Sequence, residues 1–150
     1  MVDFGTGAMG DMACHIMDAA YGGLGLKYPS RIIPESTALF AETAPASERI
    51  TYEGPAIGNR AAGTLTWRDG SLFPPKPEGW REEDAWPHDT TGGQLWVGDK
   101  GMILAGTYAE NPRLLDAAVA EQVAANPVPQ KYPRTEGVYK EWISAIKDGR

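Results

Sequence analysis

The run Gly10-Asp11-Met12-Ala13-Cys14-His15-Ile16-Met17-Asp18 carries an acid, a histidine and a second acid at i, i+4 and i+7. At about 100° per residue in an α-helix, Asp11, His15 and Asp18 point within about 60° of one another. A carboxylate one turn before an imidazole can orient the ring and tune its proton affinity, which is what general acid–base catalysis asks of the pair. Met9, Met12, Ala13, Ile16, Met17, Ala20 and Leu24 recur on the opposite side. The segment therefore predicts an amphipathic helix with an apolar back against a core and a polar front. Gly22 and Gly25 follow the front and leave room for an approaching molecule. A plain solvated face is the alternative reading of the same pattern. A metal site fits less well, because a closed zinc site needs four ligands and the other histidine, His88, is distant.

The rest of the chain must position this helix. From Pro29 onward, period-two alternation appears. Ile33, Ser36 to Phe40 and Glu48 to Glu53 read as strands, with Ile50 and Tyr52 on one face and Arg49, Thr51 and Glu53 on the other. Thr64 to Arg68 alternates likewise, with Leu65 and Trp67 together, and Asp69-Gly70 is a hairpin signal. Gln94 to Val97 and Met102 to Thr107 flank a second hairpin at Gly98-Asp99-Lys100-Gly101. Asn111-Pro112 predicts a helix start, with Leu115, Ala118, Val119 and Val123 as its stripe. A last helix spans about Glu136 to Lys147, with Tyr139, Trp142, Ile143 and Ile146 as a buried stripe and Asp148-Gly149 as its stop. These elements predict an α+β fold: an open, mostly antiparallel sheet with helices packed on one face.

Composition bounds the function. The 150 residues read as one domain, and 18 glycines with 12 prolines predict short elements and many turns. A net charge of −6 with no basic stripe argues against nucleic acid and anionic membranes as partners. No apolar run approaches the roughly 18 residues of a membrane span. Cys14 is the single cysteine, so an internal disulfide is excluded. It reads as a packing residue of the helix, because no acyl-transfer motif surrounds it. No signal core opens the chain, so cytoplasmic is the default location, with export of a parent protein left open. The loop Pro74 to Gly93 carries Trp80, Trp86 and His88. Its tryptophans read either as packing on the sheet or a neighbouring subunit, or as a lid over a sugar.

The opening run Asp3-Phe4-Gly5-Thr6-Gly7-Ala8-Met9-Gly10-Asp11-Met12-Ala13-Cys14-His15 resembles the start of the C-terminal domain in a bacterial branch of the Gfo/Idh/MocA oxidoreductases. Leu65-Thr66-Trp67-Arg68-Asp69-Gly70, Gly98-Asp99-Lys100-Gly101 with Met102-Ile103-Leu104-Ala105-Gly106, and Glu141-Trp142-Ile143 fit the same branch in the same order. The resemblance implies oxidation or reduction of a CH–OH group on a sugar, cyclitol or related polyol with NAD or NADP. It implies His15 as the acceptor of the hydroxyl proton, Asp11 as the group that orients it, and Asp18 as a supporting, substrate-binding acid. It also implies a homo-oligomer assembled through the sheet.

Two departures limit this expectation. The nucleotide-binding Rossmann half is absent from these residues, and with it the catalytic lysine of a Glu-Lys-Pro motif. Lys76-Pro77 is not that motif. The chain also stops at Arg150, where the branch continues, so the expectation is a domain truncated at both ends and inactive alone. Gly5-Thr6-Gly7-Ala8-Met9-Gly10 matches G-x-G-x-x-G literally, but too little strand precedes it for a dinucleotide site. Two alternatives stay open. One is a non-catalytic oligomerisation domain using the apolar strand faces around Trp67 and Trp96. The other is a redox glycoside hydrolase that uses bound NAD in the full-length parent.

Overall fold

The computed structural model describes residues 2–81 and 92–149. Trp86, His88 and the middle of the proline-rich loop lie outside the described residues. Backbone contacts divide the chain into two compact units, Met1–Ala117 and Ala118–Arg150.

The first unit begins with a short 3-10 turn, Val2–Phe4, and two consecutive helices, α1 (Gly7–Ile16) and α2 (Asp18–Leu24). Gly25, in the left-handed region, ends α2, and the Leu26 N–H closes back on the Tyr21 carbonyl. Six strands follow: β1 (Arg31–Ser36), β2 (Glu48–Gly54), β3 (Gly63–Arg68), β4 (Gln94–Gly98), β5 (Gly101–Ala105) and β6 (Arg113–Leu114). All pairings among them are antiparallel, giving two three-stranded sheets in the orders β1-β2-β3 and β4-β5-β6. The fold is thus α+β with antiparallel sheets, and its strands divide between two small sheets.

The alternation in the sequence sets the faces of the first sheet. Register places Ile32 with Tyr52 and Leu65, and Pro34 with Ile50 and Trp67, so these six share the apolar face. The other face carries Arg31 beside Glu53 and Glu35 beside Arg49, whose guanidinium meets the carboxylate in a two-point contact at 2.5 Å. Arg49 holds the Glu35 carboxyl below the usual range through that hydrogen bond. Pro34 is tolerated because β1 is an edge strand, where a missing N–H breaks no central ladder.

Several expectations are corrected here. No strand runs over Ser36 to Phe40: β1 ends at Ser36, and the Thr37 hydroxyl then accepts the Ala46 and Ser47 N–H groups in place of a continued ladder. Asp69-Gly70 does not make a hairpin. The Asp69 carboxylate accepts the Glu48 N–H at 2.7 Å and the Trp67 indole N–H at 3.0 Å, tying the end of β3 back to the start of β2. Gly70 follows with φ +57°, and a Cβ there would collide with Ser47 and the Ala46 carbonyl. Asn111-Pro112 does not start a helix. Asn111 takes φ +48°, Arg113 and Leu114 pair with β5, and α3 (Ala117–Ala125) begins only afterwards.

The core of the first unit is small. Ile50, Trp67, Leu104, Ala105 and Leu115 are its buried apolar side chains among the described residues, with Gln94 and Thr107 as buried polar ones. The second unit contains the rest of α3 and helix α4 (Val138–Asp148), stopped at left-handed Gly149. The α4 stripe was expected to be buried, yet Tyr139, Trp142, Ile143 and Ile146 are all exposed. The pattern fixes which residues share a face, whereas burial depends on what that face meets.

Two outcomes test this packing. Leu104 is 1 % exposed and Val97, on the same face of the sheet, 64 %. Leu104→Ala is expected to lower the unfolding free energy by about 2–5 kcal/mol, and Val97→Ala by about 0.5 kcal/mol or less, read from urea midpoints. Equal losses would contradict the described core. The second outcome concerns Glu48. Its carboxyl is pushed above the ordinary range by burial and by the neighbouring Asp69. The neutral form is therefore favoured in the folded state. Its stabilisation is full below the ordinary carboxylate value and is lost as pH rises through the raised one. Glu48→Gln should remove that part of the decline, which sets in as pH rises above about 4, measured as urea midpoints against pH.

Candidate functional site

The site grows from the seating of α1 and α2. Along this stretch Met9, Met12, Ala13, Ile16, Met17, Ala19 and Ala20 are half-buried, while Asp11, Cys14, His15, Asp18, Tyr21 and Gly22 are exposed. The two sets occupy opposite sides, as the spacing predicts, except that Leu24, expected on the apolar back, is exposed. The apolar back meets both sheets. The Tyr52 hydroxyl donates to the Met9 sulfur at 3.6 Å, and burial pushes that phenol above the usual tyrosine range. Trp96 of β4 lies against α2, its ring 3.5 Å from where a Cβ on Gly23 would sit. Gly92 sits between the Ile16 side chain and Thr107. Asp11 and His15 are one turn apart on α1, and Asp18 opens α2 just after the interruption at Met17.

The polar front is open to solvent. Among the described residues no hydrogen bond or ion pair joins Asp11 to His15; their relation is proximity on one helix face. The Cys14 thiol, expected to pack, is instead exposed and donates to the Asp11 carbonyl at 3.5 Å. No group of three or more His, Cys, Asp or Glu side chains gathers into a metal site among the described residues. The sulfur and imidazole of neighbouring residues 14 and 15 therefore share the front without forming a common ligand set.

The structure adds Tyr108, which no helical spacing marks. The Tyr108 ring meets the His15 imidazole edge-on, with centroids 5.4 Å apart and planes at 70°. That separation lies within the range of favourable aromatic pairs. Tyr108 stands on the turn between β5 and β6. The signal that could have revealed it is an aromatic within the turn-forming run Gly106-Thr107-Tyr108-Ala109-Glu110-Asn111-Pro112.

The glycines of the G-x-G-x-x-G match do not form a phosphate cradle. A 3-10 turn precedes them, not a strand, and α1 already begins at Gly7. A Cβ on Gly7 would press on Ala44, and one on Gly10 would collide with the Thr6 side chain. These spaces are filled by the chain itself, so the residues present do not fit a pyrophosphate. An open recess of about 390 Å³ lies elsewhere in the first unit, lined by Glu78, Arg81, Val97, Met102, Leu115 and Asp116 among others, and contains none of the candidate catalytic groups.

Trp67 and Trp96 are both occupied within the first unit. Trp67 is buried with its N–H on Asp69, and Trp96 is half-buried with its N–H on Gln94. Trp80 is half-buried, and its backbone N–H donates to the Pro77 carbonyl. No helix among the described residues is long and apolar enough to cross a membrane. No protein-family model matches the chain, and no curated protein matches it at a significant level.

Because Asp11 and His15 are exposed and carry no bond that the fold depends on, Asp11→Asn and His15→Ala are each expected to change stability by about 0.5 kcal/mol or less. Calorimetric melting of the two variants checks this. A large drop in either would give the residue a structural role.

Proposed function

We propose that this chain is the substrate side of an NAD- or NADP-dependent oxidoreductase of Gfo/Idh/MocA type, acting on a CH–OH group of a sugar, cyclitol or glycoside. The observation that carries the proposal is the exposed Asp11–His15 face on a helix whose apolar back is fixed to antiparallel sheet. His15 would accept the hydroxyl proton from the substrate. Asp11, one turn earlier on the same face but not bonded to the ring, would place a negative charge beside the imidazole as it takes up the proton, and Asp18 would bind a second hydroxyl.

The nicotinamide would be held by a Rossmann domain outside these residues, since the glycines of this chain do not fit it. An enclosed reaction site normally surrounds most of its substrate. The front of α1 is open, so in this reading a second body closes over it.

Two measurements test the reading. Calorimetric titration of the chain with NAD and with NADP should show no binding at micromolar concentration. Micromolar binding by either would overturn the assignment of the Gly5-Gly7-Gly10 loop. In an enzyme carrying this domain together with its nucleotide-binding partner, His15→Ala should lower turnover about 10²- to 10⁴-fold while the melting temperature stays put. Unchanged turnover would remove His15 from the chemistry. Net NADH release during turnover would favour the dehydrogenase over a redox glycoside hydrolase, which ends each cycle with its cofactor restored.

A second reading, a non-catalytic oligomerisation domain, draws support from exposed apolar side chains. The Trp67 and Trp96 rings are themselves covered, but Ile32 on the Trp67 face, Phe40, Val97, Tyr139 and Trp142 are exposed. A monomer at all concentrations in sedimentation equilibrium would count against this second reading.

A further inference from the structure

We infer that Tyr108 is a positioning residue for His15, held in place by a braced turn that serves as a clamp on the imidazole. The inference rests on the reading of His15 as a proton acceptor and adds to it the device that fixes the ring.

A histidine on an open helix face ordinarily samples several rotamers. A proton acceptor works best when its ring is already aimed. Asp11 makes no bond to the ring, so the helix alone does not aim it. The contact that the imidazole does make is with Tyr108.

The turn beneath Tyr108 is over-determined. The Gly106 N–H donates to the Glu110 carbonyl, and the Ala109 N–H to the Gly106 carbonyl, both at 3.0 Å. The Tyr108 N–H donates to the Glu110 carboxylate at 2.7 Å. That carboxylate lies directly over Gly106, where any Cβ would collide with it. Thr107 is fully buried, and its carbonyl accepts from the Gln94 amide at 3.1 Å. Gln94 in turn accepts the Trp96 indole N–H at 3.2 Å. The brace thus runs from the turn into β4.

The turn also stores strain. Ala109 and Asn111 adopt φ +59° and +48°, a region that side chains other than glycine enter at a penalty. Such residues persist where the surroundings force them, and they cluster at sites with a task. The ring that this strained, braced turn presents is 62 % exposed, so burying Tyr108 is not its purpose. What the turn accomplishes is to hold an aromatic ring against His15.

The test is proton NMR of the full chain, following the His15 Cε1–H resonance, assigned by its loss in His15→Asn. In the parent chain the Tyr108 ring current should displace this resonance from its random-coil position. Tyr108→Leu should return it toward that position. Tyr108→Phe should keep it displaced, because the contact uses the ring and not the hydroxyl. Glu110→Ala leaves both rings intact but removes the brace, and should move the resonance part of the way. The Trp67 indole N–H resonance reports whether each variant remains folded. An unmoved His15 resonance in folded Tyr108→Leu would overturn the clamp. Unchanged turnover in His15→Ala, with the resonance still governed by Tyr108, would sink the oxidoreductase reading while leaving the clamp standing.

Discussion

The first unit depends on one helical segment having two sheets to cover. A three-stranded sheet of strands no longer than seven residues buries little on its own and needs a partner on its apolar face. Here the α1–α2 segment supplies contacts to both sheets, through Met9 to Tyr52 and through the backbone at Gly23 to Trp96. The same apolar side that stabilises the sheets leaves the opposite side no choice but solvent. Exposure of Asp11, His15 and Asp18 therefore follows from the packing of Met9, Met12, Ile16 and Met17. Position on the helix and availability for chemistry are one physical outcome.

Much of this was legible in the residues. The alternation of Ile50 and Tyr52 against Arg49, Thr51 and Glu53 is reproduced in the faces of the first sheet, because a strand has a side-chain period of two whatever its neighbours do. The Gly98-Asp99-Lys100-Gly101 turn and the stop at Gly149 were readable for the same local reason. What failed involved competition between local signals and distant partners. Asp69-Gly70 looks like a hairpin turn until the Asp69 carboxylate finds the Glu48 N–H. Asn111-Pro112 looks like a helix start until Leu114 finds Ile103 on β5. Division of the strands between two sheets is of this kind too, since nothing in a strand's own residues names the strand beside it.

The candidate site divides along the same line. Asp11, His15 and Asp18 could be found because their relation is a helical spacing. Tyr108 could not, because it reaches His15 from 93 positions further along the chain, through a turn whose geometry depends on Gln94 and Glu110. The Cys14 reading failed for a simpler reason. A short thiol at the border of an amphipathic helix has no strong preference of its own, and the seating of the helix placed it on the wet side.

Pro34 carries a consequence beyond its own strand. It lies on β1, an edge strand whose outer rim would otherwise offer unpaired backbone groups to another chain. A proline lacks the N–H that such pairing uses, and Arg31 and Glu35 place charge along the same strand. The first sheet is thereby protected on that rim against strand-to-strand growth, the route by which small sheets with a thin core assemble into fibrils.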